Sequence, residues 1–189
     1  MKKIGIFGGT FDPIHHAHLI LAREALEGLG LDMIIFVPAA VSPHKSEQRP
    51  TADAIRMEML QAALDGEPSF ICDPIELHRP GPSYAVETIE AMRIQEPTAE
   101  FHYLIGEDNV DRLSTWHRFN ELSQMVQFVV LSRSSRAGKH RYPTIRRQVD
   151  ISATDIRNRV ASGRSIRYLV PAKIEKIILN RQLYREAEK

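Results

Sequence analysis

Apolar and polar positions along the chain follow two rhythms. Ile4 to Phe7 is a short apolar run, and Met33-Ile34-Ile35-Phe36-Val37 is a longer one. It is continuous, as a strand buried on both faces must be. Phe70-Ile71-Cys72, Phe101 to Ile105 and Gln127 to Leu131 predict three more strands. Between these runs the period lengthens. Leu19, Ile20, Ala22, Ala25, Leu26 and Leu29 form a stripe with Arg23, Glu24 and Glu27 opposite, which predicts a helix over 19–29 ended by Gly28 and Gly30. Ile55, Met59, Leu60 and Leu64 predict a second helix with Thr51 as its cap, and Tyr84 to Ile94 a third with Ser83 as its cap. Asn120 to Met125 reads as a short helix, and Ile151 to Arg157 opens another that ends near Gly163. Pro171 takes the first position of a last helix, Ala172 to Leu179. Ser42 to Pro50 and Glu76 to Pro82 read as loops, and Ser134 to His140 as a flexible, basic one on the surface.

Strands alternating with helices imply an α/β fold: a mostly parallel sheet with helices on both faces. Right-handed crossovers make it doubly wound and Rossmann-like. No linker interrupts the chain, so residues 1–189 read as one domain, with a core of about 1–150 and a small C-terminal helical extension of about 151–189. Composition adds bounds. The 189 residues are 43% hydrophobic, enough for a real core. With 25 basic and 24 acidic residues the net charge is +1, which gives no global argument for nucleic acid or a membrane surface. A single cysteine, Cys72, leaves no intramolecular disulfide and suits a reducing cytosol. No run approaches the roughly 20 apolar residues of a membrane span, and no signal-peptide core precedes the first strand. The expected location is cytoplasmic, without nucleic-acid or membrane partners.

The chemistry concentrates where the first strand ends and the first helix begins, Gly8-Gly9-Thr10-Phe11-Asp12-Pro13-Ile14-His15-His16-Ala17-His18. Ligands of open α/β sheets bind at the carboxyl ends of strands. A helix start adds unpaired N–H groups and a positive dipole end, which favour an anion. Gly8 and Gly9 let the backbone approach closely, and His15 and His18 are three apart, so both can face one ligand. Two imidazoles at such a site suggest donors to a phosphate. His15, His16 and His18 lack the i, i+4 spacing and glutamate of a zinc helix, and no protein-held metal is expected. Ser152, Thr154 and Arg157 make a second anion site on paper, although such a run taken alone is more often an ordinary N-cap with a surface arginine. Lys45, beside His44, follows the second strand on the same edge. Gly106 and Asp108 follow the fourth strand, and Asp108 suits either a nucleoside hydroxyl or a helix cap. Trp116, the only tryptophan, suits packing under a loop or stacking on a planar ring.

Within Gly8 to His18, the run Gly9-x-Phe11-x-Pro13-x-His15-x-Ala17-His18 resembles the G-x-F-x-P-x-H-x-G-H signature of the nucleotidyltransferases, with Ala17 where those proteins have glycine. Ser152, Thr154 and Arg157 match their I-S-x-T-x-x-R motif. Pro43-His44-Lys45, Arg79 with Ser83-Tyr84, Gly106-x-Asp108, Trp116, Arg167-Tyr168-Leu169-Val170-Pro171 and Leu183-Tyr184 narrow the likeness to bacterial nicotinate mononucleotide adenylyltransferases, from Lys3 to about Tyr184. Ala85 stands where that family usually has threonine. The resemblance implies adenylyl transfer from ATP to nicotinate mononucleotide, giving deamido-NAD and pyrophosphate, with Mg²⁺ accompanying ATP. His15, His18 and Arg157 are then the catalytic set. Gly8, Gly9, Thr10, Phe11, Gly106, Asp108, Ser152 and Thr154 bind ATP, and Lys45, His44, Tyr84, Ala85 and Trp116 bind the mononucleotide. The alternatives are the amide mononucleotide or another phosphate, such as phosphopantetheine, as acceptor, and a non-catalytic nucleotide-binding regulator.

Overall fold

The computed structural model describes residues 1–40, 50–135 and 138–185. Six parallel strands, β1 (Lys3–Gly9), β2 (Met33–Pro38), β3 (Phe70–Cys72), β4 (Glu100–Gly106), β5 (Gln127–Ser132) and β6 (Thr144–Arg146), form one sheet in the order β3-β2-β1-β4-β5-β6. The chain direction across the sheet reverses between β1 and β4. That is the switch point at which doubly wound sheets open a crevice.

Alternation along each strand sorts the core into two halves. Phe7, Ile34, Phe36, Leu104, Val129 and Leu131 fall on one face, and Ile4, Ile6, Val37, Tyr103, Ile105 and Val130 on the other. The first face is covered by α1 (His16–Leu29), α2 (Asp53–Leu64), α5 (Ala153–Ala161) and α6 (Ala172–Asn180), through residues such as Leu26, Leu60, Ile156 and Ile178. The second is covered by α3 (Ala85–Gln95), the 3-10 helix Glu107–Thr115 and α4 (Phe119–Met125), through Ile89, Leu113 and Leu122. The predicted doubly wound α/β architecture is therefore observed. Ile4, Ile6, Ile34 and Phe36 are fully buried, and truncating any one to Ala costs about 2–5 kcal/mol. No helix among the described residues is long and apolar enough to cross a membrane.

Several local expectations need correction. Thr51 does not cap α2: Ala52 is the N-cap residue, and the Thr51 backbone N–H donates to the Asp12 carboxylate at 2.9 Å. Ser83 does not cap α3, which begins after Tyr84; its Oγ accepts the Ala40 N–H at 2.9 Å and ties the end of β2 to the start of α3. Pro171 sits at the N-cap of α6 rather than its first turn. Gly28 lies inside α1, and Gly30 ends it alone, at φ 60°, where a left-handed residue accommodates glycine without strain. β6 was not expected; a helix capped by Asp108 was one reading, and the 3-10 helix has Gly106, not Asp108, as its N-cap. β6 is three residues long and, among the described residues, pairs with β5 at the edge of the sheet.

Candidate active site

The loop between β1 and α1 forms the floor of the site. Gly8 needs its missing Cβ, which would fall 2.8 Å from the Tyr103 hydroxyl. Phe11 turns the chain at φ 48° and buries its ring against Phe7, Phe36 and His18. This delivers His15 to the N-cap of α1 in an extended conformation. The His15 and His18 rings stack 3.7 Å apart and 15° from parallel. The His15 N–H donates to His18 Nδ1 at 3.3 Å, so a neutral His18 carries its ring proton on Nε2. His15 is buried, and its Nδ1 has no hydrogen-bond partner among the described residues. Burial first, and the Arg133 charge second, push its imidazole down to about 3. His15 is thus neutral at neutral pH, a hydrogen-bonding group rather than a cation.

A cleft of about 1610 Å³ opens over this loop at the switch point. Gly8, Gly9, Thr10, Phe11, His15 and His18 line one side; Gly106, Asp108, Ser152, Thr154 and Arg157 line the rest. Gly106 ends β4, and a Cβ there would fall 2.5 Å from Asp108 Oδ1, so glycine lets the exposed carboxylate fold back toward the strand end. Ser152 is the N-cap of α5, its Oγ accepting the Asp155 N–H at 3.1 Å. Arg157, one turn on, donates from Nη1 to the Asp12 carbonyl at 2.7 Å and from Nη2 to Thr154 Oγ1 at 3.3 Å. Two helix starts, α1 and α5, thus meet across one cleft, with an arginine and two imidazoles between them. Preorganised N–H donors and a fixed guanidinium suit a polyphosphate.

Three residues expected at the substrate are not among those lining this cleft. Trp116 packs its ring edge-on to Tyr103 at 5.8 Å and Phe128 at 6.4 Å. Tyr84 lies 4.2 Å from the His117 ring, and Ala85 starts α3. Tyr103 connects them to the floor, since its hydroxyl lies under Gly8. Beside it Glu76 is buried; burial pushes its carboxyl upward, partly countered by hydrogen bonds from Thr88 and Ser83. Lys45 and His44 lie outside the described residues.

Four polar residues at or beside the site were not singled out from sequence. Arg133 lines the cleft and donates to the Ile151 carbonyl at 2.7 Å. Arg56, fully buried, donates to the Thr10 carbonyl at 2.7 Å and the Thr51 carbonyl at 3.0 Å, and pairs with Asp53. Asp12 and Tyr184 are bonded to each other across 172 positions at 2.5 Å. Only the motif position of Asp12 and the tail pair Leu183-Tyr184 hinted at them.

The cytidylyltransferase-like family model matches residues 6–159. The chain is 44% identical over 187 residues to a probable nicotinate-nucleotide adenylyltransferase of Geobacillus thermodenitrificans, covering 97% of this chain and 87% of the relative. It is 38% identical over 187 residues to the nicotinate-nucleotide adenylyltransferase of Bacillus subtilis, covering 97% and 99%. In fold it is similar to the Plasmodium falciparum nicotinic acid mononucleotide adenylyltransferase complexed with NaAD, with TM-score 0.82 at 18% identity over 97% and 98% of the two chains. A putative nicotinate-nucleotide adenylyltransferase from Vibrio parahaemolyticus gives TM-score 0.73 at 23% identity over 99% and 98%.

Proposed function

The chain belongs to the nicotinate-nucleotide adenylyltransferases of the cytidylyltransferase-like family, and from that premise we propose how its cleft performs the transfer. The reaction moves the adenylyl group of ATP to nicotinate mononucleotide, giving deamido-NAD and pyrophosphate in NAD biosynthesis. A phosphate oxygen of the mononucleotide attacks the α-phosphorus in line. The new P–O bond forms as the bond to the bridging oxygen breaks, and pyrophosphate leaves. The attacking phosphate is already ionised, so no strong base is required. The protein's work is positioning and charge stabilisation.

His18 donates to the α-phosphate, where charge builds. Neutral His15 stacks behind it and holds it through the backbone contact to Nδ1. Arg157, Ser152 and Thr154 hold the β and γ phosphates at the start of α5. Gly8, Gly9, Thr10 and Phe11 line the nucleotide, and Gly106 with Asp108 takes a hydroxyl of the ATP ribose. Lys45 and His44 meet the acceptor phosphate. Its pyridine ring lies toward Tyr84, Ala85 and Trp116, a reading supported by the Tyr103 link from Trp116 to the floor under Gly8. Mg²⁺ accompanies ATP and supplies charge neutralisation to the phosphates. Such an ion would be held largely by phosphates and waters. The C-terminal helices share the first core with α1 and α2, which supports one domain over residues 1–189. A reducing cytoplasm suits Cys72, whose thiol burial pushes up to about 12.

What carries this reading is one observation: the histidine loop, the ribose-side Gly106 and Asp108, and the Arg157 helix start all line a single cleft at the switch point. A pyrophosphate-release assay with ATP and a panel of acceptors tests it. The expected result is turnover with nicotinate mononucleotide well above the amide mononucleotide and phosphopantetheine; release with none of them would overturn it.

A further inference from the structure

The last turn of the described chain reaches back to the first loop. After α6, Gln182 and Tyr184 both adopt left-handed backbone, at φ 52° and 61°, which is strained for residues with side chains. Such strain persists where the surroundings over-determine it. Here Leu183 packs on the first core and its N–H donates to the Ile178 carbonyl at 3.0 Å, which swings Tyr184 over the cleft wall. The Tyr184 hydroxyl donates to Asp12 Oδ1 at 2.5 Å. Asp12 Oδ2 accepts the Thr51 N–H, and the Asp12 carbonyl accepts Arg157 Nη1 at 2.7 Å. Asp12 is nearly buried, so each of these bonds replaces water it has lost. Burial and the adjacent carboxylate raise the Tyr184 phenol above its ordinary value, which keeps it a donor.

We propose that Tyr184 is a positioning residue for adenylyl transfer: its hydroxyl fixes Asp12, and Asp12 in turn sets the Arg157 guanidinium against the distal phosphates of ATP. This rests on the reading of Arg157 above. Among the described residues, Asp12 and Thr154 anchor Arg157. A guanidinium aimed by its anchors loses less freedom on meeting a phosphate than a loose one. Without the Tyr184 hydroxyl the Asp12 carboxylate keeps, among the described residues, the Thr51 N–H, and the loop carrying the Asp12 carbonyl is held less firmly.

The test is a double-mutant cycle of Tyr184→Phe and Arg157→Ala, read by steady-state kinetics and thermal unfolding. Tyr184→Phe is expected to raise KM for ATP roughly tenfold, the value of one hydrogen bond to a charged group. KM for nicotinate mononucleotide stays within about twofold, while Tm falls by a few °C as the same bond is lost from the fold. On the Arg157→Ala background Tyr184→Phe adds nothing, because its route to ATP is gone. Parent-like ATP kinetics in Tyr184→Phe would overturn the proposal while Arg157→Ala still showed its own loss. So would full additivity, or equal rises in both KM values. If Arg157→Ala itself leaves KM for ATP unchanged, the phosphate reading falls, and the proposal with it.

Discussion

At the scale of single residues, the site depends on a buried imidazole that stays neutral. His15 has its folded pKa pushed well below the unfolded value, chiefly by burial and then by Arg133. Between those two values the unfolded chain binds a proton that the fold refuses. Stability is therefore full above the ordinary histidine pKa and is lost as pH falls toward the folded value. Urea unfolding of the parent should weaken by about 2 kcal/mol more than that of His15→Gln between about pH 6.5 and pH 5. Equal losses would mean that His15 is protonated in the fold. Residue-scale chemistry was legible in part from the sequence. The spacing of His15 and His18 and the Ser152 to Arg157 run announced themselves because each lies within one turn of a helix start. Arg56 did not, since an arginine on α2 reads as solvated until the Thr10 and Thr51 carbonyls are seen around it. Arg133 was invisible for a similar reason: it follows a strand in a basic stretch, and only the fold brings it to His15.

At the scale of elements, two helix starts divide the work. The start of α5 is read as the triphosphate grip, with Arg157 anchored on Asp12 and Thr154. Arg157→Ala should therefore weaken ATP far more than AMP, by roughly tenfold or more in Kd. Calorimetry with both nucleotides checks this, and equal losses would remove the arginine from the β and γ groups. The start of α3 is read as the pyridine end. Its first-turn N–H groups can bond a carboxylate without any side chain, whereas an amide NH₂ facing them leaves donors unpaired at about 1–3 kcal/mol. The enzyme should keep a preference for the acid, and Ala85→Thr should sharpen it by adding a hydroxyl. Comparing kcat/KM for the two mononucleotides in both proteins decides it; equal efficiency in the parent means that this backbone does not read the carboxylate. Long periodic elements were readable from sequence because their apolar stripes survive inspection: α1 and β2 needed little more than boundary changes. β6, three residues paired with one neighbour, has no periodicity to read. The 3-10 helix buries only Leu113 and so shows no stripe. The Ser83 cap failed because its Oγ accepts the Ala40 N–H instead, and the Thr51 cap failed because α2 starts one residue later, after Ala52.

At the scale of the molecule, strand order creates the site. Because β1 and β4 lie side by side with their crossovers running to opposite edges, their carboxyl ends part, and the glycines at Gly8, Gly9 and Gly106 keep the gap open. The C-terminal extension then closes over the first loop at three points: Leu169 receives the His16 N–H at 3.0 Å, Arg157 reaches the Asp12 carbonyl, and Tyr184 reaches its carboxylate. The strand and helix alternation was enough to foresee a doubly wound sheet, but not the union of residues 12, 51, 56, 157 and 184, which meet only after folding. The account turns on His18 acting at the α-phosphate in this cleft. The most direct measurement is the initial rate of pyrophosphate release from ATP and nicotinate mononucleotide, both saturating, for the parent beside His18→Ala. The account predicts a fall in kcat on the order of 10²–10³ with KM for ATP little changed. A kcat within a few-fold of the parent would contradict it.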